Sequence, residues 1–386
     1  MNLDKKISVL PLTKSNPKTL FSLFGSSEIM PMWVADMEFE IDNSIQKALI
    51  DRISDSGFGY EYKPESFFLA QKKWYQNHYD IELIKEQLLF SPSITTSISV
   101  IIENFTSKGD GVIIQPPVFM EFRDVIRNTG RRIVKNSLQL KNGNYKIDFE
   151  DLENKTKPEE NKVLILCNPH NPVGRVWRKE ELDKIVAICK KNNIILVSDE
   201  IHKDIILFGN KFTSVLQYTN VWNKIIACTS EAKTFNLCGI SDSMVIVPND
   251  EIRSSIKDTF KKYNLGRTNA LTRITLETAY TKGDAWLKKL IVTIEINVNL
   301  IENELKKSNS RIKLIKPEGT YQVWLDFKDI YKDSKEMFHH LTEKSKIAMN
   351  GGHWYGREGA LFMRMNIATS KEKVQKAIDQ IIKAVL

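Results

Sequence analysis

The chain has 386 residues, of which 42% are hydrophobic and 27% are charged, an ordinary composition for a globular protein. A chain of this length can bury a large core without disulfide or metal cross-links. The formal net charge is +8, but lysines alternate with acids, as between Lys179 and Lys184, and basic runs are short. The charge therefore favours solvated helix faces over a nucleic-acid interface.

The cysteines and the apolar runs point to a reducing compartment. No pair of the four cysteines has metal-ligand spacing, so we predict reduced core thiols and no metal site. The first residues carry no apolar signal core, and no apolar run approaches the length that spans a membrane. We expect a cytoplasmic protein that binds neither nucleic acid nor membranes.

The N-terminal part is predicted to be an arm followed by a site-lining loop. Residues 1 to about 30 are polar and contain prolines, which predicts irregular structure. The segment from Met30 to Glu40, MPMWVADMEFE, fits neither a clean helix nor a clean strand, so a loop is predicted. A helix is predicted over 44–53, and Gly57 to Tyr60 form a turn with two aromatic residues.

A hydroxyl-rich turn, Ser91 to Ser99, precedes an apolar helix predicted over 98–105. Helix N-termini attract anions because their first N–H groups are unpaired and the helix dipole points at the ligand. From this segment alone, plain N-capping is the simpler explanation.

Strands and helices then alternate. Short apolar runs predict strands, and a one-sided apolar pattern predicts a helix over 180–192. The predicted strands are 112–115, 162–167, 194–197, 225–228 and 243–247. Such continuous apolar strands separated by helices indicate a mostly parallel sheet that is covered on both faces.

Polar residues follow the ends of these strands: Asn171, Asp199, His202, Ser230 and Lys233. In open α/β sheets the ligand lies outside the carboxyl ends of the strands, so this set predicts a site. A lysine after a buried strand can have a lowered pKa because burial disfavours its charge, and its amine can then attack a carbonyl. Taken alone, Lys233 could equally be a solvated turn lysine.

The C-terminal third is predicted to form a second, smaller lobe. An amphipathic helix over 284–305 leads into it. A strand near 321–325, a glycine-rich turn, a strand LFMRMNIA and a final helix from Lys371 follow.

Six motifs stand in one order along the chain: MPMWVADMEF, GFGY, NPHNPVGRVW, SDEIHKDI, SEAKTFNLCGI and FMRMNIA. Together they resemble the fold-type-I pyridoxal-phosphate enzymes, aminotransferase class I/II, and within them the cystathionine β-lyase (C–S lyase) subgroup. The resemblance implies an α/β fold of the PLP-dependent transferase type, with a large domain built on a mostly parallel seven-stranded sheet between helices and a smaller α/β C-terminal domain. The implied boundaries are 1–45 for an arm with part of the small domain, 46–285 for the large cofactor-binding domain and 286–386 for the small domain.

The resemblance implies pyridoxal 5′-phosphate as cofactor. Lys233 would attach it as a Schiff base and act as the base on the substrate Cα. Asp199 would keep the pyridine nitrogen protonated. The other implied cofactor contacts are Asn171 and His202 at the ring oxygen O3′, Phe119 on the ring face, and Ser93, Ile94, Thr95 and Ser230 at the phosphate.

The resemblance also implies a small-molecule amino-acid substrate and a homodimer. Arg364 would bind the substrate α-carboxylate through its planar fork, with Ala35 and Trp33 lining the same pocket. Tyr60 would reach the cofactor phosphate and substrate of the other subunit. Ser241 stands where many members carry a phosphate-binding arginine.

Three functions remain open from the sequence. The first is a carbon–sulfur β-lyase that cleaves cystathionine or another S-substituted L-cysteine to a thiol, pyruvate and ammonia; MPMWVADMEF and the tetrapeptide DEIH favour it. The second is an aminotransferase on the same scaffold. The third is a cofactor-binding regulatory protein with weak activity.

Overall fold

The structure, a computed structural model, describes residues 11–386. Its α-helices are α1 (Pro17–Phe24), α2 (Asn43–Ser54), α3 (Glu65–Tyr79), α4 (Ile94–Phe105), α5 (Glu121–Asn128), α6 (Phe149–Thr156), α7 (Lys179–Lys191), α8 (Asp250–Lys262), α9 (Ala270–Lys282), α10 (Asp284–Lys307), α11 (Ser334–Ser345) and α12 (Lys371–Val385). Its strands are β1 (Met30–Pro31), β2 (Leu88–Ser91), β3 (Gly111–Ile114), β4 (Arg132–Lys135), β5 (Gln139–Lys141), β6 (Asn144–Lys146), β7 (Asn161–Cys167), β8 (Ile195–Asp199), β9 (Ile225–Thr229), β10 (Ser243–Ile246), β11 (Lys313–Ile315), β12 (Gln322–Asp326), β13 (Ile347–Ala348), β14 (Asn350–Gly351) and β15 (Phe362–Asn366).

Seven strands form the central sheet, in the order β2-β10-β9-β8-β7-β3-β4. The neighbours from β9 to β4 pair in parallel, and β10 runs antiparallel to both β9 and β2. Residues of β3, β7, β8 and β9 are buried on both sheet faces, in two separate apolar clusters. The predicted mostly parallel sheet covered on both faces is confirmed, and the predicted strands and the helix over 180–192 are present within one or two residues.

The N-terminal arm is partly regular, which corrects the prediction of an irregular segment. Residues Pro17–Phe24 form α1 because Asn16 accepts a hydrogen bond from the N–H of Thr19 and Pro17 occupies the first turn. Gly25 ends the helix with a φ of +72°, a conformation that glycine adopts without steric cost. Residues 1–10 of the predicted arm lie outside the described residues.

A second sheet, β11-β12-β15-β14, is antiparallel and lies in the last quarter of the chain. Helix α10 leads into it, and the six apolar residues predicted to share one face of this helix are all buried: Leu287, Leu290, Ile294, Val298, Ile301 and Leu305. Strand β1 pairs in parallel with β13, so residues 30–31 are tied to this part of the molecule.

Between residues 11 and 386, none of the helices combines the length and the apolar character required to cross a bilayer.

Candidate active site

A cavity of about 240 Å³ opens at the carboxyl ends of β7, β8 and β9, where the sequence predicts a site. The structure brings most of the predicted residues to its wall. These are Ala35, Ser93, Ile94, Thr95, Phe119, Asn171, Asp199, His202, Ser230 and Lys233. Parallel strands end at the same sheet edge, which is why Asn171, Asp199 and Ser230, which follow β7, β8 and β9, converge there.

Asp199, the last residue of β8, places a carboxylate in the cavity wall with only 4% of the residue exposed. One oxygen, Oδ1, accepts the N–H of Ile201 at 3.1 Å. Burial raises the pKa of Asp199 to about 7, although the Ile201 hydrogen bond and the nearby Lys233 lower it. No basic side chain among residues 11–386 forms a salt bridge with this carboxylate, so the cavity offers an uncompensated buried acid to a cationic N–H group.

Lys233 extends its amine into the same cavity from the turn after β9. The Nζ atom donates to the carbonyl oxygen of Ala35 at 2.8 Å and to Cys238 Sγ at 3.4 Å. The Ala35 oxygen also accepts the hydroxyl of Tyr321 at 2.9 Å. The amine is therefore oriented by acceptors that carry no charge, and no carboxylate of the described residues must be displaced before it reacts.

The N-terminus of α4 forms another part of the cavity wall. Ser93 caps the helix, since its Oγ accepts the N–H of Thr96 at 3.1 Å. The N–H groups of Ile94 and Thr95, at the first helical positions, have no acceptor within the helix. They provide a neutral anion site that the helix dipole strengthens.

Ser230 lies directly after β9 and contributes a buried hydroxyl to this wall. Its neighbour Glu231 is fully buried, and its Oε2 lies 3.4 Å from the Ser230 hydroxyl. Burial raises the pKa of Glu231 to about 8. The carboxyl is therefore mostly neutral at pH 7 and does not repel an anion held at Ser230.

Asn171, His202 and Phe119 line the middle of the cavity. Asn171 is buried, and its Oδ1 accepts an N–H of Arg364 at 3.3 Å. His202 is buried with its Nδ1 unpartnered among the described side chains, and burial, with the positive charges of Lys233 and Arg364, lowers its pKa to about 3. The imidazole is therefore neutral. Phe119 is half-buried and contributes an aromatic ring to the cavity wall.

Arg364, on β15, lies next to Asn171 but does not itself line the cavity. It is 3% exposed, and its guanidinium donates to the Trp33 carbonyl and to Asn350 Oδ1, the latter at 2.7 Å. No carboxylate of the described part of the chain pairs with it. A buried guanidinium held only by neutral oxygens can exchange them for a ligand carboxylate.

The side chain of Trp33, expected in the substrate pocket, does not line the cavity, and neither does Tyr60, which is expected at the site of the other subunit. The Trp33 indole donates to the Lys14 carbonyl at 3.0 Å and packs against Phe24, so only the Trp33 backbone contacts Arg364. Tyr60 is 97% exposed and stacks with Arg267 of the same chain.

Sequence reasoning missed several residues of the cavity and its surroundings. Cys238 and Asp242 line the cavity, and Tyr321 orients the Ala35 carbonyl. No pattern in the sequence signals Tyr321, because it reaches the site across a different sheet. His, Cys, Asp and Glu side chains of residues 11–386 form no group of three or more that could hold a metal ion.

Comparison with known proteins gives one consistent result. The sequence profile of the family "Aminotransferase class I and II" matches residues 44–381. A cystathionine beta-lyase, PatB, of Bacillus subtilis (strain 168) is 36% identical over 382 residues, which cover 99% of this chain and 99% of that protein.

Two solved structures are similar along the whole chain. Cystalysin from Treponema denticola, whose structure contains a pyridoxal 5′-phosphate cofactor, has a TM-score of 0.94 at 31% identity and covers 99% of this chain and 98% of its own. A PLP-bound C–S lyase from Staphylococcus hominis has a TM-score of 0.93 at 27% identity, with coverage of 100% and 98%.

Proposed function

This chain belongs to the aminotransferase class I and II family, and we propose that it is a pyridoxal 5′-phosphate-dependent carbon–sulfur β-lyase. Its substrate would be L-cystathionine or a related S-substituted L-cysteine, cleaved to a thiol, pyruvate and ammonia. The similarity to proteins named as cystathionine beta-lyase, cystalysin and C–S lyase supports the lyase over other members of the family. The observation that carries the proposal is the cavity that Lys233 and Asp199 share, with the amine and the uncompensated carboxylate on its wall.

The residues of the cavity fit the cofactor. The buried Asp199 suits a protonated pyridine nitrogen, which would supply the positive charge that this carboxylate lacks. The free N–H groups at the start of α4 and the hydroxyl of Ser230 suit a phosphate. Asn171 and His202 would face the ring oxygen, Phe119 the ring plane, and the Lys233 amine the aldehyde carbon. When bound, the cofactor supplies an electron-poor ring that takes up the electron pair left on the substrate Cα.

The chain's own groups would perform the proton transfers. The Lys233 amine would act as the base that removes the proton from the substrate Cα. Asp199 would hold a proton at the ring nitrogen of the cofactor. His202 remains a neutral imidazole, because its pKa is about 3, and so adds no positive charge beside Lys233.

Arg364 would fix the substrate's orientation. Its guanidinium already points N–H groups at the neutral oxygens of Asn171, Asn350 and Trp33. A substrate α-carboxylate would accept two parallel N–H bonds in their place, as planar anions do with arginine. Ala35 would line the pocket beside it, since its carbonyl holds the Lys233 amine.

An aminotransferase is the second candidate, favoured by the description of the family itself. Both reactions begin with removal of the Cα proton; the lyase then expels the thiolate from Cβ, whereas the transferase passes the amino group to an oxo-acid. The test is to incubate the purified, cofactor-loaded protein with L-cystathionine alone, and separately with an amino acid plus 2-oxoglutarate. We expect free thiol and pyruvate in equal amounts without any oxo-acid; product that appears only when 2-oxoglutarate is present would contradict the lyase and support the transferase.

Tyr60 fits a role in a second subunit and not in its own. It lies in an exposed aromatic segment with Phe58 and Tyr62. Phe58 is 60% exposed, Tyr60 is 97% exposed and Tyr62 is 83% exposed. Aromatic side chains this exposed are typical of interfaces. We therefore propose a homodimer in which Tyr60 of each chain reaches the phosphate and substrate of the other chain's site.

A subunit-complementation experiment tests the homodimer. The variants Lys233→Ala and Tyr60→Ala are each expected to be nearly inactive. Unfolded and refolded together in equal amounts, they should recover about a quarter of the wild-type activity, because half of the dimers are mixed and each mixed dimer has one intact site. Tyr62→Ala serves as the control and should stay active. Mixtures that stay as inactive as the single variants would contradict a site shared between subunits.

The division of the chain and its location are also proposals. We propose a large domain over 46–285, a small domain over 286–386, and an arm over 1–45 that joins the small domain. The seven-stranded sheet within the large domain and the pairing of β1 with β13 support this division. We propose a cytoplasmic location, which the unpaired thiols of Cys167, Cys189 and Cys228 in the core support.

A further inference from the structure

A buried carboxylate, Asp204, contacts the turn after β9 that carries Lys233 and Thr234, which we call the lysine turn. Asp204 does not line the cavity. Four donors converge on it. Its Oδ1 accepts the indole N–H of Trp74 at 2.9 Å and the hydroxyl of Tyr79. Its Oδ2 accepts the hydroxyl of Thr234 at 2.6 Å and the amine of Lys203 at 3.1 Å. Helix α3, the turn after β8 and the turn after β9 therefore meet at one side chain.

Lys203 is the counter-ion of Asp204 and is itself fully buried. Its Nζ lies 5.3 to 5.7 Å from the ring centres of Tyr75, Tyr79 and Tyr280, a distance at which aromatic rings attract a cation. A buried ion pair costs desolvation energy, and apolar residues of equal volume often stabilise a fold as well or better. Stability alone is therefore a poor explanation for this pair, and a defined geometry is a better one.

The geometry that the pair fixes is that of the lysine turn. Thr234 directly follows Lys233, is fully buried, and donates its side-chain hydroxyl to Asp204. On the other side of the turn, the Lys233 amine reaches the Ala35 carbonyl at 2.8 Å. Two hydrogen bonds therefore fix the turn: one from Thr234 to Asp204, and one from Lys233 to the Ala35 carbonyl.

We propose that Asp204 is a positioning residue for Lys233: through Thr234 it fixes the turn that aims the Lys233 amine into the cavity, and Lys203 is the counter-ion that keeps the arrangement neutral. The proposal rests on the proposed function, since it assigns no role to the turn unless Lys233 reacts. Burial would raise the pKa of Asp204, but Lys203 and the hydroxyl donors lower it below its usual value, so the carboxylate stays ionised. The positive charge of Lys203 cancels it, and no net charge is added behind Lys233.

Removing the Thr234 hydroxyl should break the hydrogen bond between the lysine turn and Asp204 without creating a cavity. In Thr234→Val the side-chain volume is kept and Asp204 retains three of its four donors. A displacement of about 1 Å in a catalytic group can cost about 100-fold in rate. Because the loss of one hydrogen bond should displace the Lys233 amine by less than that, we expect kcat to fall about tenfold and the Kd of the cofactor to rise about tenfold. We expect KM to change little. The pH at which the visible absorption of the lysine-bound cofactor titrates should also shift.

Three further variants separate positioning from stability. Thr234→Ser keeps the hydroxyl and should restore wild-type values. Tyr79→Phe removes a donor from Asp204 Oδ1, the oxygen that does not contact the turn, so it should lower the midpoint of urea unfolding but leave kcat and the cofactor Kd unchanged. Thr342→Val removes a buried hydroxyl that has no hydrogen-bond partner among the described residues and is far along the chain, in α11, so it should leave kcat and the cofactor Kd unchanged.

The outcomes separate this proposal from the proposed function. The proposal is overturned if Thr234→Val keeps the wild-type kcat and cofactor Kd, or if Tyr79→Phe loses both to the same degree. If Thr234→Val does not fold, as judged by circular dichroism, Thr234→Ala replaces it in the same comparison. Borohydride reduction of the wild-type protein, followed by peptide mass analysis, provides the reference: cofactor not trapped on Lys233 would contradict the proposed function itself.

Discussion

Replacing Lys233 with alanine should abolish turnover and remove the covalent bond to the cofactor. Loss of a general base alone lowers a rate by about 10²- to 10⁴-fold, and here the same side chain also attaches the cofactor, so we expect a loss at the upper end of that range. The visible absorption of the bound cofactor should shift to that of the free aldehyde. Borohydride reduction should then add no mass to the peptide that carries position 233.

Two comparisons make this result specific. Lys179→Ala removes a lysine that is 66% exposed and paired with Asp183 on the surface of α7, so it should retain activity and the visible absorption. Adding methylamine to Lys233→Ala should restore part of the activity, because a small amine can enter the vacated space and take the proton. A variant that keeps a covalently bound, borohydride-trapped cofactor would show that another lysine attaches it.

The sequence predicts the site better than it predicts the arm around it, and the reason is geometric. Asn171, Asp199, Ser230 and Lys233 follow parallel strands that are continuous apolar runs, and such strands end at one edge. Their convergence could be argued before any coordinates. Helix α1 could not, because its eight residues lie among prolines and polar residues and its capping by Asn16 is a local contact of modest strength.

Other features depend on packing that no periodic pattern reveals. Strands β2 and β4 are not among the strands that the sequence predicts: β2 has only four residues and comes shortly before α4, and β4 is the half-exposed edge of the sheet. The neutral state of Glu231 follows from complete burial, which a sequence does not show for a polar turn. Asp204 stands inside the SDEIHKDI motif, yet its role depends on Trp74 and Thr234, 130 and 30 residues away.

Replacing Asp199 with asparagine should raise the stability of the cofactor-free protein while lowering its activity. Unfolded, the carboxyl has a pKa near 4; folded, burial raises this pKa to about 7. Between these pH values the unfolded chain releases a proton that the folded chain retains, so the free energy of unfolding falls as the pH rises. Below about pH 4 the carboxyl is protonated in both states and does not change the free energy of unfolding. Above about pH 7 it is ionised in both states, and the full destabilisation from burying its charge is present.

The size of the penalty follows from the pKa difference, and asparagine avoids it. A shift of about three units corresponds to about 4 kcal/mol, which is the largest gain to expect from Asp199→Asn at pH 8, with no gain at pH 4. The asparagine Oδ1 can still accept the N–H of Ile201. Urea unfolding at the two pH values measures the gain, with Asp258→Asn as the control because that carboxylate is 70% exposed and should contribute little at either pH.

The same substitution should reduce the lyase activity about 100-fold or more, because a neutral amide cannot keep a proton on the cofactor's ring nitrogen as the electron pair arrives. Asp199→Glu, which keeps the charge, should lose less. A protein that is both more stable without cofactor and less active with it would identify Asp199 as a carboxylate whose burial is unfavourable until a cation binds. If Asp199→Asn leaves turnover unchanged, Asp199 does not keep a proton on the ring nitrogen of the cofactor. If it leaves the free energy of urea unfolding at pH 8 unchanged, the carboxylate is already compensated within the chain.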